Sequence, residues 1–435
     1  MKKMKWFAFL AMVMIAFSAL VPMAHAIEEA PPTKSGSVMV VSINTGATIY
    51  EKNADAQIHP ASTTKLMTMA VAIDLIKDLK ETYIFDKNAC YADLEIGSSN
   101  MGLKDGEKVT MEQLLYGTAV SSANEGTNAL AIHLCGSIEK FVAKMNEYAE
   151  KWGMENTHFA NTHGLTKEGH YTTARDMAIL AKKVFSDDRL LPYLSASYYE
   201  LPASDVNTAR TLITTNQLMR QNSGNYYKYC FAGKTGSTEA AGFNLISASR
   251  YKGIEYICIT MNAPYGPYAD NPVFEESVSL YRWAYQNFGV QTLLEETTSV
   301  AEIKVALCAK SDYVMLVPKG RIEAVVANNE DIEAFERVVK TDEVAYAPIK
   351  KGDVLGTVSL VKNGVEYGSV ELVASEDMER SAILYYLHLI RSFFSNPIVL
   401  IVVGVLVVAI IVYIIFMIRQ NRNRRRRRLA RRIRF

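Results

Sequence analysis

The chain has 435 residues, 49% hydrophobic and 21% charged, and its formal net charge of +1 conceals a strong asymmetry. Without the lysines of residues 1–26 and the arginines after residue 418, 34 basic residues stand against 46 acidic ones, about −12, which argues against nucleic-acid binding by the intervening part. Five cysteines without a CxxC pair and seven scattered histidines without HExxH predict buried thiols rather than a disulfide framework, and no metal site.

Residues 1–26 combine a lysine-bearing start, an apolar run and Ala24-His25-Ala26 before a polar stretch, and predict a cleaved signal peptide. Residues 27–290 predict one large domain. Within it, SVMVVSINTGATIYEK reads as two strands joined at Asn44-Thr45-Gly46. TMEQLLYGTAVSSANEGTNALAIHLC and SIEKFVAKMNEYAEKWGM then carry apolar residues at helical spacing, and FNLISASR and IEYICITMN return to strand character. Strands at both ends with helices between them predict an α+β fold, an antiparallel sheet flanked by helices and completed by distant segments.

Residues 291–375 change to short strands, and the alternation of TVSLVKNGVEYGSVELVA about Asn363-Gly364 predicts a hairpin in a small all-β domain. Residues 376–397 predict a juxtamembrane helix at the surface. Residues 398–418 carry no charge, and as a helix they extend roughly 30 Å, the thickness of a bilayer core. They predict one C-terminal transmembrane helix. The arginine-rich tail, 419–435, is then cytoplasmic and in contact with anionic membrane lipid, with the rest of the chain extracytoplasmic.

Chemistry is signalled first in HPASTTKLMT, where Ser62 and Lys65 stand three residues apart. The spacing alone discriminates poorly, since Ser137 with Lys140, Ser249 with Lys252 and Ser359 with Lys362 share it. Two further motifs follow in order: Ser122-Ala123-Asn124, and Lys234-Thr235-Gly236 followed by Ser237. The ordered triple discriminates where each motif alone does not. A phosphate loop at GKTGS would need another glycine five residues before Gly233, where Lys228 stands. A serine hydroxyl needs a base within hydrogen-bond reach, and a lysine one helical turn away serves if burial and a second cation favour its neutral form.

The chain resembles the low-molecular-weight penicillin-binding proteins, serine-type D-alanyl-D-alanine carboxypeptidases with a serine β-lactamase/transpeptidase-like fold. The likeness extends through GSSNMGLKDGEKVTMEQLLYGTAVSSANEGTNALA, MENTHFANTHGLTKEGHYTTARDMAILA, GKTGSTEAAGFNLISAS and APIKKGDVLGTV. It implies Ser62 as acyl-accepting nucleophile, Lys65 as its base, Ser122 as proton relay and Asn124 as the group orienting Lys65 and substrate. It implies substrate binding by Lys234, Thr235, Gly236 and Ser237, with an oxyanion hole from the NH groups of Ser62 and Ser237. The expected activity is removal of the terminal D-alanine from peptidoglycan stem pentapeptides during cell wall biogenesis. No cofactor is needed, and β-lactams act as covalent inhibitors.

Two alternatives differ in what they require. A class A β-lactamase uses a glutamate in Glu-x-x-Leu-Asn to deacylate, and residues 152–175 contain no such motif. An idle wall-binding protein has no need of three intact motifs. One departure stands out: Met261 to Tyr281 lacks the arginine that some relatives place near the substrate carboxylate. Carboxylate recognition is then expected from Lys234, Thr235 and Ser237, or from a basic residue elsewhere such as Arg220.

Overall fold

The computed structural model describes residues 28–266 and 271–432, with side chains up to residue 425. The expected signal peptide, residues 1–26, lies outside the described residues. The chain divides into two compact units, one reaching Thr292 and taking in Glu323–Ala334, the other formed by Leu293–Ile322 and Phe335 onward.

The first unit is built on strands β1 (Ser37–Ser42), β2 (Thr48–Lys52), β7 (Cys230–Thr238), β8 (Gly242–Tyr251) and β9 (Ile254–Ala263), with two short antiparallel pairs between them in sequence, β3 (Thr82–Ile84) with β4 (Lys108–Thr110) and β5 (Tyr198–Leu201) with β6 (Arg210–Ile213). The five-stranded sheet has the order β2-β1-β9-β8-β7 and is antiparallel throughout, so segments about 200 residues apart in sequence meet at the β1–β9 seam. Every residue of β1 is buried, because both sheet faces are covered. Its alternation divides it between two cores: Met39 and Val41 join one cluster, Val38 and Val40 the other.

On the first face lie α1 (Lys65–Leu75), the short α2 (Lys87–Cys90), α3 (Met111–Val120), α4 (Asn124–Cys135), α5 (Ile138–Lys151), α6 (Ala174–Phe185) and the short α7 (Leu191–Leu194). Helix α1 is buried at every position from Lys65 to Ile73, so it is a central helix of this layer rather than an amphipathic surface one. Helix α3 begins at a capping box, Thr110 with Gln113, and α4 ends on Gly136 in the left-handed region. Helix α8 (Val273–Asn287) covers the other face with Phe274, Leu280, Tyr281 and Trp283. Strand β10 (Phe288–Leu294) pairs with β13 (Ile322–Ala327).

The second unit is a six-stranded sheet of β11 (Ala301–Ala306), β12 (Tyr313–Pro318), β14 (Glu336–Thr341), β15 (Val344–Tyr346), β16 (Val354–Lys362) and β17 (Val365–Ala374). Asn363 and Gly364 both take positive φ, 51° and 76°, which closes the β16–β17 hairpin as a two-residue turn. Helix α9 (Ala382–Ser395) starts on a Ser381 cap, and α10 (Pro397–Arg432) contains one stretch, Pro397–Arg425, long and apolar enough to cross a membrane. The helix continues through the arginines rather than stopping at residue 418, since arginine is a good helix former and no glycine or proline interrupts the run.

Candidate active site

Ser62 does not sit in the α-helix itself. It occupies a 3-10 turn, Ala61–Thr64, that leads directly into α1 at Lys65. The turn is held on several sides. Thr63 Oγ1 donates to Pro60 O at 2.6 Å, and the Asn244 amide on β8 donates to the carbonyls of His59 and Pro60, each at 3.1 Å. Ala61 is forced to φ +46°, a left-handed conformation that L residues rarely adopt.

Lys65 is fully buried, and its Nζ lies 2.9 Å from Ser62 Oγ, 2.6 Å from Asn124 Oδ1 and 2.7 Å from the His163 carbonyl. Three acceptors match the three protons of an ammonium. A neutral amine keeps two N–H groups for Asn124 and His163 and turns its lone pair to the Ser62 hydroxyl. Burial holds the Lys65 amine well below the usual lysine range, and the charge of Lys234 pushes in the same direction, opposed by buried Glu125.

Ser122 and Asn124 flank the start of α4, and Ser122 takes φ +60° in the turn between α3 and α4. Lys234 reaches from β7 to donate to Ser122 Oγ at 3.0 Å and to its neighbour's carbonyl, Thr235 O, at 3.0 Å. Burial lowers Lys234 to about 7. β7 is an edge strand, paired only with β8, in register Thr235 to Leu245 and Gly236 to Asn244. A Cβ on Gly236 would come within 2.9 Å of Ser62 N and 3.0 Å of Thr63 N, so only glycine allows the strand this close to the serine turn.

The cleft between them has a volume of about 200 Å³ and is lined by Ser62, Ser122, Thr235, Gly236 and Ser237 together with Thr215, Gln217 and Asn271. All eight expected residues therefore meet at one place: Ser62, Ser122, Thr235, Gly236 and Ser237 on the cleft wall, and Lys65, Asn124 and Lys234 bonded behind it. Among the described residues, neither Arg220 nor any other arginine or lysine lines the cleft. Thr215 is the partner that the motifs did not reveal; its hydroxyl shares a 2.5 Å hydrogen bond with Thr235 Oγ1. Nothing in the pattern TTNQLM marks it, because it arrives from a loop about 20 residues upstream.

His163 supports the site twice: its carbonyl holds Lys65, while its ring meets Asp93 at 3.2 Å. Glu125 is buried beside the site, with Oε1 accepting from Met101 N at 2.7 Å. The five cysteines are all unpaired, and among the described residues no cluster of histidine, cysteine and carboxylate could hold a metal.

The family described as D-alanyl-D-alanine carboxypeptidase (Peptidase S11) matches residues 24–265, and the penicillin-binding protein 5 C-terminal domain matches residues 288–380. D-alanyl-D-alanine carboxypeptidase DacC of Escherichia coli (strain K12) is 30% identical, over 82% of this chain and 88% of its own length. DacF of Bacillus subtilis (strain 168) is 29% identical, over 81% and 87%. Among solved structures, penicillin binding protein 5 of Haemophilus influenzae aligns with a TM-score of 0.63 at 25% identity, covering 81% of this chain and 100% of that one. Penicillin binding protein 6B of Escherichia coli aligns with a TM-score of 0.60 at 26% identity, covering 81% and 98%.

Proposed function

Because the chain belongs to the D-alanyl-D-alanine carboxypeptidase family of serine hydrolases that bind penicillin, we propose that Ser62 is the residue acylated, by peptidoglycan stem pentapeptides and by β-lactams alike. The observation that carries this is the 2.9 Å contact between Ser62 Oγ and a lysine amine that burial holds well below the usual lysine range. Neutral Lys65 takes the Ser62 proton as Oγ attacks the carbonyl of the penultimate D-alanine. The NH groups of Ser62 and Ser237 receive the developing oxyanion. The chain Lys234–Ser122 offers a route for a proton to the departing D-alanine nitrogen, since Ser122 Oγ is held by Lys234 Nζ at 3.0 Å. Water then releases the acyl group, and Ser62 recovers its proton. The wall enzyme so described needs no cofactor.

The substrate's terminal carboxylate is bound by the hydroxyls of Thr235 and Ser237 under the charge of Lys234, with Thr215 setting the Thr235 rotamer. Helix α10 anchors the enzyme in the cell membrane as a single pass, with its arginine tail cytoplasmic against anionic lipid and the catalytic unit outside. Incubation of the full chain with a pentapeptide ending in D-alanyl-D-alanine should release one D-alanine per peptide, and Ser62→Ala should abolish both release and covalent labelling by fluorescent penicillin. Labelling that persists in Ser62→Ala overturns the assignment.

A further inference from the structure

A second concave site lies at the opposite end of β7 from the serine, where the strand begins. It is a cavity of about 600 Å³, within the range of small-ligand sites, walled by Tyr229, Tyr251 and Tyr285 and rimmed by Lys228, Lys252 and Arg282. The walls come from three elements of the first unit: Tyr229 leads into β7, Tyr251 ends β8, and Tyr285 stands on α8. Their rings are mutually braced, with centroids 4.6 Å apart for Tyr229 and Tyr251 and 5.4 Å for Tyr251 and Tyr285. Tyr285 is further fixed by a 3.0 Å hydrogen bond between its hydroxyl and Ser249 Oγ.

The charge at this site is of one sign. Lys228 Nζ sits 4.8 Å from the centre of the Tyr229 ring and Lys252 Nζ 5.3 Å from that of Tyr251. Among the described residues no carboxylate lines the cavity, and Glu255, the acidic residue closest along the hairpin, is bound by Arg250. Lys252 and Gly253 both take positive φ, 50° and 82°, so a tight two-residue turn presents the Lys252 ammonium at the rim. Half-buried, braced aromatic faces suit the apolar faces of sugar rings, and unpaired ammonium and guanidinium groups suit carboxylates. The concavity distinguishes the site from a flat basic patch that would lie on a lipid surface.

We infer that this tyrosine-walled, cationic cavity is a binding subsite for a carboxylate-bearing oligosaccharide, a peptide-free stretch of the glycan whose stem peptides the serine cleft acts on, where the sugar carboxylates are not consumed in amide bonds to peptide. The inference rests on the proposed function for the identity of that polymer. Tyr229, just ahead of β7, and Thr235 within it are six residues apart, about 20 Å at the spacing of an extended chain. An extended pentapeptide spans about 17 Å, so a free peptide bound at the serine leaves the second site empty, whereas a strand of polymer engages both. Two-point attachment raises the effective concentration of stem peptides at the cleft without altering the chemistry there.

The test uses the full chain in lipid nanodiscs and three probes: a peptide-free tetrasaccharide of peptidoglycan glycan, the uncharged tetramer of N-acetylglucosamine, and poly(glycerol phosphate). The expected result is saturable binding of the glycan, weaker binding of the uncharged tetramer, and a loss of at least about tenfold in glycan affinity in Lys228→Glu/Lys252→Glu. That variant should keep its penicillin acylation rate and its kcat/KM on free pentapeptide within about twofold, because both lysines are exposed and distant from the serine. It should raise KM for pentapeptide carried on a glycan that also contains peptide-free units while leaving kcat unchanged. Glycan binding that is absent, or equal in wild type and variant, overturns the inference, as does preferential binding of poly(glycerol phosphate). Penicillin acylation and free-peptide turnover report on the serine cleft separately, so loss of glycan binding with both intact refutes the subsite alone. Tyr251→Leu, which removes one wall and leaves the charges, should lose affinity for the charged glycan and the uncharged tetramer in similar proportion. Unchanged binding of both would overturn the stacking part.

Discussion

Gly164 lies directly beneath the carbonyl of Ala61: a Cβ placed on Gly164 would fall 1.8 Å from Ala61 O and 3.0 Å from Ser62 N. The residue before it, His163, offers its own carbonyl to Lys65 at 2.7 Å. Two consecutive residues of one loop thus set the height of the serine turn and the position of the lysine amine. Asn161 Oδ1 accepts from Gly164 N at 2.6 Å and closes the loop on itself.

Gly164→Ala should therefore displace the serine turn. Its φ of +96° adds about 1–3 kcal/mol of backbone strain to the steric conflict. The expected outcome is a lowered Tm together with a loss of penicillin acylation larger than the unfolded fraction explains. Normal acylation in the folded fraction would show that the loop can give way without moving Ser62.

Lys65→Ala should reduce acylation by roughly 100- to 10,000-fold, the range for losing a general base. The fold should remain intact, because relief of the cost of burying the amine offsets the cavity and the unpaired Asn124 and His163 acceptors that the truncation leaves. Stopped-flow acylation and thermal melting measure the two effects on one sample. Near-normal acylation would assign the base elsewhere.

Lys234→Met separates charge from position. Removing the cation relieves the pressure that holds Lys65 low, so the acid limb of the acylation profile should move to higher pH, whereas Lys234→Arg should leave it low. Stability should respond with the opposite emphasis. Lys234 titrates at about 7 in the folded protein and near 10.5 when unfolded, so the unfolded chain binds the extra proton between those values. The cost of burying it is complete below pH 7, fades as pH rises towards 10.5, and is absent above. The Tm advantage of Lys234→Met over wild type should therefore shrink between pH 7 and pH 10; a constant difference would refute the depressed value.

Thr235→Val and Thr215→Val bear on carboxylate recognition in a cleft with no arginine or lysine among the described residues of its walls. A peptide depends on its carboxylate for orientation, while a β-lactam brings ring strain of its own. Thr235→Val should slow acylation by peptide far more than acylation by a reactive lactam, and Thr215→Val should show the same bias more weakly. Equal losses for peptide and lactam would assign Thr235 to the chemistry in general.

Protease added to intact cells should spare the arginine tail and cut only outside the membrane. Removal of the tail with the outer units intact would reverse the proposed topology.

Four of the five sheet strands were legible, β8 and β9 as dense apolar runs bounded by turns, whereas β7, CFAGKTGST, is mostly small and polar and carries no such pattern; the β16–β17 hairpin was legible because Asn363-Gly364 specifies its own turn. The site was legible through motifs that are local. Ser62 with Lys65 and Ser122 with Asn124 each lie within one turn of chain, and Lys234 to Ser237 within one strand. What local pattern could not show are partners delivered by the fold. Thr215 reaches Thr235 from a loop, Glu125 is buried through tertiary packing alone, and His163 serves Lys65 through a carbonyl that any residue possesses. The 3-10 geometry of Ala61–Thr64 was equally hidden, since its cause is the pair of bonds from distant Asn244.

The left-handed conformations of Ala61 and Ser122 place a tension between durability and reactivity at the centre of this enzyme. Each carries a cost of order 1–3 kcal/mol that surrounding bonds must overcome, and both adjoin groups that must stay fixed for proton transfer. Glycine at either position would relax the backbone and enlarge the range of conformations open to it. Selection for heat resistance alone would tend to relieve such strain, whereas selection for rapid acylation would oppose it at the same two residues.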